Sequence, residues 1–333
     1  MRNKYYSNEV CRKILEDNGG LIADKARRIL LEDRSLKDLR QPLEFISKSW
    51  RDLTPALMRL SCQAVGGQPE ETNDAAIAMC LMHLSFSIWD DIIDKVRFKS
   101  FKPTLPTKFG ESTSIIVAGL AAAKAFSIIN EANLKKEKRQ LINEWVWQLC
   151  SKMARTETLA SRMRTQGILS SNKKLWKIKS EASDLATCLK IGAVIGNGSE
   201  NDINHLGNYG MYLGIIFSLR QDFQTSINLT LELADKIKNN SLPYSILWAT
   251  EHSEKINDEL SLAQKNAIDG AYVKEFVKEV LNSRVFDHVA RKITAYSEKA
   301  KEELIYIKTS SANQTLRSFV DIQSRLFVES FSI

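Results

Sequence analysis

The stretch that decides the fold is Ser-Phe-Ser-Ile-Trp-Asp-Asp-Ile-Ile-Asp at positions 85–94. Asp90 and Asp94 are four residues apart, so a helix would place both carboxylates on one face. Together with Asp91 they would repel one another and lose hydration in apolar surroundings unless a cation neutralised them. Mg²⁺ suits this role, because it takes oxygen ligands from carboxylates, waters and phosphates. The stretch predicts a magnesium site on a largely apolar helix; a solvated charge cluster is the alternative.

An apolar stripe leads up to these carboxylates on a helix predicted from about position 70 to 96. Met82, Phe86 and Asp90 follow one another at four-residue steps, so they stack one helical turn apart. Such a stripe is ordinarily plain core. Beside the carboxylates, it predicts a pocket that extends below a metal-bound headgroup.

The rest of the chain reads as helix. Six prolines and 14 glycines in 333 residues are few, and no segment shows convincing strand alternation. The pattern predicts an all-α protein that forms one domain over residues 1–333, with N-terminal helices in 1–48, a break at Gly19–Gly20, and a C-terminal helix in 309–333.

Charge and cysteine content narrow the class of protein. The net charge is +7, but the basic runs carry no nucleic-acid motif, so a phosphate-bearing small substrate is expected instead of nucleic acid. No secretory signal or transmembrane segment is predicted. Five cysteines occur singly, without zinc spacing, which favours free thiols and a cytoplasmic location.

The order of several motifs resembles the trans-isoprenyl diphosphate synthase (polyprenyl synthetase) family over about residues 40 to 300. The resemblance is carried by the carboxylates at 90–94 and by four further segments, 106–110, 118–120, 214–217 and 235–243. It implies the class I isoprenoid (terpene) synthase fold, an all-α helical bundle around a central cavity. It also implies an allylic prenyl diphosphate as substrate and Mg²⁺, three ions with substrate bound, as cofactor.

The resemblance assigns roles to residues on both sides of that cavity. The expected catalytic and metal-binding residues are Asp90, Asp91, Asp94 and Asp222, with Gln221 and Thr225 as further metal ligands. The expected diphosphate-binding residues are Arg155, Lys179, Arg220, Arg97 and Arg51. The expected pocket residues are Met82, Phe86, Trp89 and Phe217. A homodimer is compatible with the resemblance, since the family is commonly dimeric, but the sequence does not decide it.

Two departures from the family pattern favour an unusual member. The second aspartate motif keeps a carboxylate at Asp222 alone, because Gln221 and Thr225 take the other two places. The segment expected to bind isopentenyl diphosphate keeps Arg51 alone. Compared with the family pattern, the first metal-binding motif is therefore retained, whereas the segment that would bind the acceptor, isopentenyl diphosphate, is changed.

Three functions fit this asymmetry. The favoured one is a terpene synthase-like lyase that ionises a farnesyl- or geranylgeranyl-sized diphosphate without condensing it with isopentenyl diphosphate. The first alternative is a prenyltransferase, either a short-chain prenyl diphosphate synthase or an enzyme with a non-standard acceptor. In that case Phe86, one turn before Asp90, would keep the product short. The second alternative is a non-catalytic regulatory subunit of a prenyl synthase.

Overall fold

The computed structural model describes residues 9–47, 53–99, 102–227, 231–265 and 270–331. The described residues form seventeen α-helices and one short antiparallel hairpin, so the predicted all-α class is confirmed. The first nine helices are α1 (Glu9–Leu15), α2 (Leu21–Leu31), α3 (Arg40–Ser47), α4 (Leu53–Ala64), α5 (Asn73–Ile93), α6 (Leu105–Phe109), α7 (Glu111–Glu131), α8 (Lys136–Thr165) and α9 (Ser171–Glu181). The others are α10 (Ser183–Ile195), α11 (Glu200–Ile227), α12 (Leu231–Lys238), α13 (Tyr244–Glu251), α14 (Glu254–Lys265), α15 (Gly270–Asn282), α16 (Val285–Glu303) and α17 (Ser311–Phe331). The hairpin pairs β1 (Phe98–Lys99) with β2 (Lys102–Pro103).

The predicted break at Gly19–Gly20 is wrong, because the chain stays helical there. Residues Glu16–Gly20 form a π-helical turn that joins α1 to α2. Asn18 supports the turn by donating a hydrogen bond from Nδ2 to the carbonyl oxygen of Ile14 at 2.8 Å. The glycines therefore mark a local change of helix type.

Two helices, α4 and α10, run between two hydrophobic clusters and contribute side chains to both. In α10, Leu189 belongs to one cluster and Ile191 to the other. Helix α5, which carries the carboxylates, packs in the cluster of Ile191, whereas α11 packs in the cluster of Leu189. Asp90 of α5 and Asp222 of α11 therefore belong to helices that lie on opposite sides of the α4–α10 layer.

Two glycines let α11 lie close against the α9–α10 corner. A Cβ at Gly210 would come within 2.7 Å of the Leu185 carbonyl oxygen, and one at Gly214 within 2.9 Å of the Ala182 Cα. A larger residue at either position would push α11 away from α10. These contacts fix the helix on which Asp222 lies.

Two segments have the length and apolar composition of a membrane span, residues Pro69–Ile93 and Glu111–Glu131. The first is 61% buried and includes α5, which is a core helix here. The second is α7, whose apolar stretch is 33% buried. Its exposed face includes Ile115 and Ile116.

Candidate functional site

Three carboxylates from two helices converge at the C-terminal end of α5. One oxygen each of Asp90, Asp94 and Glu157 lies within 4.8 Å of the other two. Helix α5 ends at this point because Lys95 adopts a left-handed conformation (φ 54°), and the amide of Val96 donates back to the Asp91 carbonyl at 3.0 Å. The end of the helix thus presents Asp90 and Asp94 toward Glu157 of α8.

The three converging carboxylates differ at one position from the three that were predicted on α5, Asp90, Asp91 and Asp94. Asp91 is not among the three converging carboxylates; its Oδ1 lies 2.5 Å from the Nζ atom of Lys99 on β1. Asp91 points elsewhere because consecutive residues of a helix project about 100° apart. Glu157, which the sequence reasoning did not assign to the site, takes the third place.

Three basic side chains from different elements contact the acidic group and balance part of its charge. Lys177 of α9 contacts Glu157 and Glu181 at 2.7 Å each and Asp90 at 3.6 Å. Lys99 also lies 3.5 Å from Asp90. The basic group is completed by Arg164 of α8, which binds the carboxylate of Asp94 and donates to the Ile93 carbonyl at 3.0 Å.

Burial and these cations set the pKa values in opposite directions. Burial raises the pKa of Glu157 to about 7 and that of Asp91 to about 6, although a lysine contacts each of them. Burial also opposes ionisation of Asp90, but Lys177 and Lys99 outweigh it and hold the pKa of Asp90 well below its usual range. The pKa of Asp94 is lowered as well, so Asp90 and Asp94 are the ionised members of the three converging carboxylates, and Glu157 is the one that takes up a proton most readily.

The donor set on this side suits a divalent cation. Five carboxylates, those of Asp90, Asp91, Asp94, Glu157 and Glu181, share three basic partners, Lys99, Lys177 and Arg164. With all groups ionised, two negative charges remain. The ligand atoms are oxygens within 4.8 Å of one another, which is the arrangement that Mg²⁺ accepts.

The opposite side of the site offers one carboxylate. Asp222 of α11 accepts hydrogen bonds from the Ser245 amide at 3.2 Å and from Ser245 Oγ at 3.3 Å. Burial raises the pKa of Asp222. Gln221 is exposed and Thr225 is half-buried.

Three of the predicted diphosphate-binding cations lie away from the converging carboxylates. Arg220 is buried and its guanidinium binds Oε1 of Gln323 on α17, because its position on α11 faces the core instead of the site. Lys179 is exposed, and the α9 lysine in the site is Lys177, two residues earlier. Arg155 is exposed and pairs with no carboxylate of the described residues.

Arg97 is close to the site but already has a partner, Asp235 of α12. Its Nη2 lies 2.6 Å from Asp235 Oδ1, and its backbone amide donates to Oδ2 at 3.1 Å. Arg51 lies outside the described residues. The structure pairs Arg97 with Asp235 and Arg220 with Gln323, and the assignment of the five residues to diphosphate stays a prediction.

The four predicted pocket residues divide into separate groups. Phe86 and Trp89 are half-buried on α5, with ring centroids 6.2 Å apart. Met82 is fully buried, with its sulfur 3.6 Å from Cys150 Sγ, so it is part of the hydrophobic core. Phe217 of α11 contacts Phe319 of α17 in the other hydrophobic cluster, with ring centroids 6.1 Å apart.

The residues that sequence reasoning missed did carry signals. Glu157 and Arg164 are seven residues apart on α8, a spacing that puts both on one helical face. Lys177 and Glu181 are an i,i+4 pair on α9. Neither signal shows that its face points at α5, because that depends on how the helices pack.

The chain is similar to known proteins over most of its length. A sequence model of the family described as polyprenyl synthetase matches residues 37–280. A short chain isoprenyl diphosphate synthase of Methanothermobacter thermautotrophicus is 23% identical over 316 residues, 90% of this chain and 94% of that protein. A geranylgeranyl diphosphate synthase of Methanosarcina mazei is 23% identical over 273 residues, 81% of this chain and 83% of its own.

Solved structures share the fold. Geranylgeranyl pyrophosphate synthetase from Pyrococcus horikoshii superposes with a TM-score of 0.79 at 21% identity, covering 95% of this chain and 98% of that one. A polyprenyl synthase from Caulobacter crescentus, crystallised with calcium and isoprenyl diphosphate, gives a TM-score of 0.83 at 18% identity, covering 95% and 97%.

Proposed function

The chain belongs to the polyprenyl synthetase family, and from this premise we propose that it is a short-chain prenyl diphosphate synthase. The observation that carries the proposal is the convergence of Asp90, Asp94 and Glu157 at the end of α5. We also propose that the whole chain forms one domain of this fold. The cytoplasmic location predicted from the sequence stays a prediction.

The proposed reaction joins an allylic prenyl diphosphate to isopentenyl diphosphate. The allylic C–O bond breaks, diphosphate leaves, the prenyl carbon bonds to the acceptor double bond, and the acceptor loses a proton. Asp90, Asp94 and Glu157 would hold Mg²⁺, which when bound supplies positive charge beside the departing diphosphate. The Caulobacter crescentus enzyme crystallised with calcium and isoprenyl diphosphate supports this pairing of a divalent cation with a prenyl substrate.

The chain's own residues supply position and shelter for this chemistry. Lys177, Lys99 and Arg164 hold the carboxylates in place, so that little rearrangement is needed when ligand binds. The aromatic rings of Phe86 and Trp89 lie on the same helix as Asp90, with their centroids 6.2 Å apart. Aromatic faces stabilise nearby cations, and an apolar wall keeps water from the carbocation.

The comparisons favour the prenyltransferase alternative over the favoured lyase prediction. The relatives at 23% identity are named as isoprenyl or geranylgeranyl diphosphate synthases, and this chain covers most of their length. The convergence of Asp90, Asp94 and Glu157 argues against an idle subunit, because the surrounding acidic group keeps two negative charges beyond its three basic partners, which a divalent cation would balance.

One assay separates these functions. Purified protein with Mg²⁺ is incubated with geranyl, farnesyl or geranylgeranyl diphosphate, each with and without isopentenyl diphosphate. We expect a longer diphosphate in the presence of isopentenyl diphosphate. A hydrocarbon or alcohol formed from the allylic substrate alone would favour the lyase, and no turnover with tight binding to a homologous synthase would favour the idle subunit.

We propose a homodimer as the working assembly. Helix α7 exposes Ile115 and Ile116, and α8 exposes Trp147, which is 61% accessible. Exposed apolar side chains that form one contiguous patch are typical of surfaces that a partner covers. Sedimentation of the wild type against Trp147→Lys tests the proposal, and a wild-type monomer at micromolar concentration would contradict it.

A further inference from the structure

A carboxylate of α13 holds the N-terminal end of α9, the helix that carries Lys177. Glu251, the last residue of α13, accepts two hydrogen bonds from Ser171, the first residue of α9. The Ser171 amide donates to Oε1 at 2.7 Å, and the Ser171 hydroxyl donates to Oε2. A carboxylate is favourable here because the first amides of a helix have no partner within it and carry partial positive charge.

Glu251 can act as a fixed anchor because the first turn of α13 is itself joined to two other helices. The Ser245 amide donates to Asp222 of α11 at 3.2 Å, and Tyr244 Oη lies 2.7 Å from Nε2 of His288 on α16. Helix α13 has eight residues. It is therefore only about 12 Å long, and contacts at its first turn also fix its last residue.

The other end of α9 is held by a separate contact with α8. Ser180 Oγ lies 2.5 Å from Thr156 Oγ, and both side chains are buried. Lys177 lies between the contacts at Ser171 and Ser180. If the contact at Ser171 were lost and α9 tilted about Ser180, Lys177 would move about a third as far as Ser171, because the rise per residue is constant.

Such a tilt would separate Lys177 from two of its three acidic partners. Glu157 of α8 lies 2.7 Å from the Lys177 ammonium, and Asp90 of α5 lies 3.6 Å from it. Glu181 belongs to α9 and would move together with Lys177. Because hydrogen bonds weaken over a few tenths of an ångström, a displacement of about 1 Å is enough to break the contact with Glu157.

We propose that Glu251 and Ser171 are positioning residues that hold the Lys177 ammonium against the converging carboxylates of the site. The proposal rests on the proposed function, since it assumes that these carboxylates bind a divalent cation. When the Glu251–Ser171 pair is weakened, the ammonium withdraws and leaves more negative charge uncompensated. Mg²⁺ is then bound more strongly, because it meets less competition from the lysine. A pair that only stabilised the fold would not change the response to Mg²⁺.

The first experiment measures Tm by calorimetry, without Mg²⁺ and at saturating Mg²⁺, for the wild type and Glu251→Gln. Glutamine keeps the length of the side chain but loses the charge and one acceptor oxygen. We expect the metal-free Tm to fall by about 2 to 4 °C and the Mg²⁺-induced rise to grow by at least about 2 °C. Glu254→Gln is the matched control: Glu254 is exposed at the start of α14, so both values should stay at wild type.

The second experiment tests whether the effect passes through Lys177. In a Lys177→Ala background, Glu251→Gln should still lower the metal-free Tm but should not enlarge the Mg²⁺-induced rise further, because no ammonium is left to position. Ser171→Ala is a milder variant that removes the hydroxyl and keeps the amide contact. It should enlarge the Mg²⁺-induced rise by less than Glu251→Gln does, and it tests the pair even if Glu251→Gln does not fold.

The outcomes separate the inference from the proposed function. A wild-type response to Mg²⁺ in Glu251→Gln and Ser171→Ala would overturn the inference and leave the proposed function standing. So would an enlarged response that persists in the Lys177→Ala background, because the pair would then act by another route. A wild-type Tm that does not respond to Mg²⁺ at all would overturn the proposed metal site and the inference together.

Discussion

Arg97 and Asp235 are 138 residues apart in sequence, and three hydrogen bonds join them. Arg97 donates from its backbone amide to Oδ2 at 3.1 Å, and from Nε and Nη2 to Oδ1 at 2.9 and 2.6 Å. The Arg97 side chain is 58% exposed, whereas that of Asp235 is 3% exposed. The pair fixes the segment that follows the carboxylates of α5 against α12, which carries Lys236.

We predict that the two halves of this pair are unequal. Arg97→Ala should cost about 2 to 3 kcal/mol of unfolding free energy, because it leaves the buried Asp235 carboxylate short of partners. Asp235→Ala should cost about 1 kcal/mol, since the exposed guanidinium returns to water. Urea denaturation measures both values. A larger loss in Asp235→Ala would contradict the assignment of the buried charge as the costly partner.

We predict that Glu157 is required for catalysis and that its neighbour Glu181 is not. Glu157→Gln should lower kcat/KM by at least about a hundredfold, because it removes one of the three carboxylates expected to hold the metal. Glu181→Gln is the matched control: it also contacts Lys177 at 2.7 Å but is not one of the converging three. Steady-state kinetics at varied Mg²⁺ separates weaker metal binding from slower chemistry. Equal losses in the two variants would contradict the assignment.

We predict that Lys177 acts as a stand-in cation while no metal is bound. Lys177→Ala should lower the Tm of the metal-free protein, because Asp90, Glu157 and Glu181 would repel one another without their shared ammonium. Added Mg²⁺ should then raise the Tm more in the variant than in the wild type. Lys179→Ala, exposed and two residues away, should behave as the wild type does. Equal Mg²⁺ shifts in all three proteins would contradict this role.

The fold and the α5 part of the candidate site could be predicted from the sequence for a simple reason. Helical periodicity and an i,i+4 pair of carboxylates are local, so Asp90 and Asp94 could be placed together from α5 alone. Glu157, Lys177 and Arg164 come from helices whose orientation depends on packing across α10, which no local pattern reports. Arg220 shows the same limit. It lies two residues before Asp222 on α11, so its side chain points to the opposite side of the helix, toward the core, where it binds Gln323.

We predict that the contact between His288 and Tyr244, the first residue of α13, is sensitive to acid. Burial, with help from Lys292, Arg291 and His252, lowers the pKa of His288 to about 4. An unfolded histidine titrates near pH 6.5, so the unfolded chain binds the extra proton between about pH 6.5 and 4, and acid favours unfolding over that range. The stability that neutral His288 contributes is present above about pH 6.5 and is lost as the pH falls toward 4.

The variant His288→Gln should flatten the fall in Tm across that range. His288 Nε2 lies 2.7 Å from Tyr244 Oη, at the start of α13, and glutamine keeps a polar partner there without titrating. A wild-type slope in His288→Gln would show that other groups cause the acid sensitivity.

We predict that Phe86 limits the length of the product. It lies four residues before Asp90 on α5, about 6 Å along the helix axis, and is half-buried beside Trp89. A prenyl chain that grows away from the carboxylates would meet this ring after a few isoprene units. Phe86→Ala removes the ring and should lengthen the main product by at least one unit, as read by chromatography of the dephosphorylated prenols. Phe217→Ala is the control, because Phe217 packs against Phe319 in the other hydrophobic cluster. An unchanged product length in Phe86→Ala, with turnover retained, would place the chain-terminating contact elsewhere.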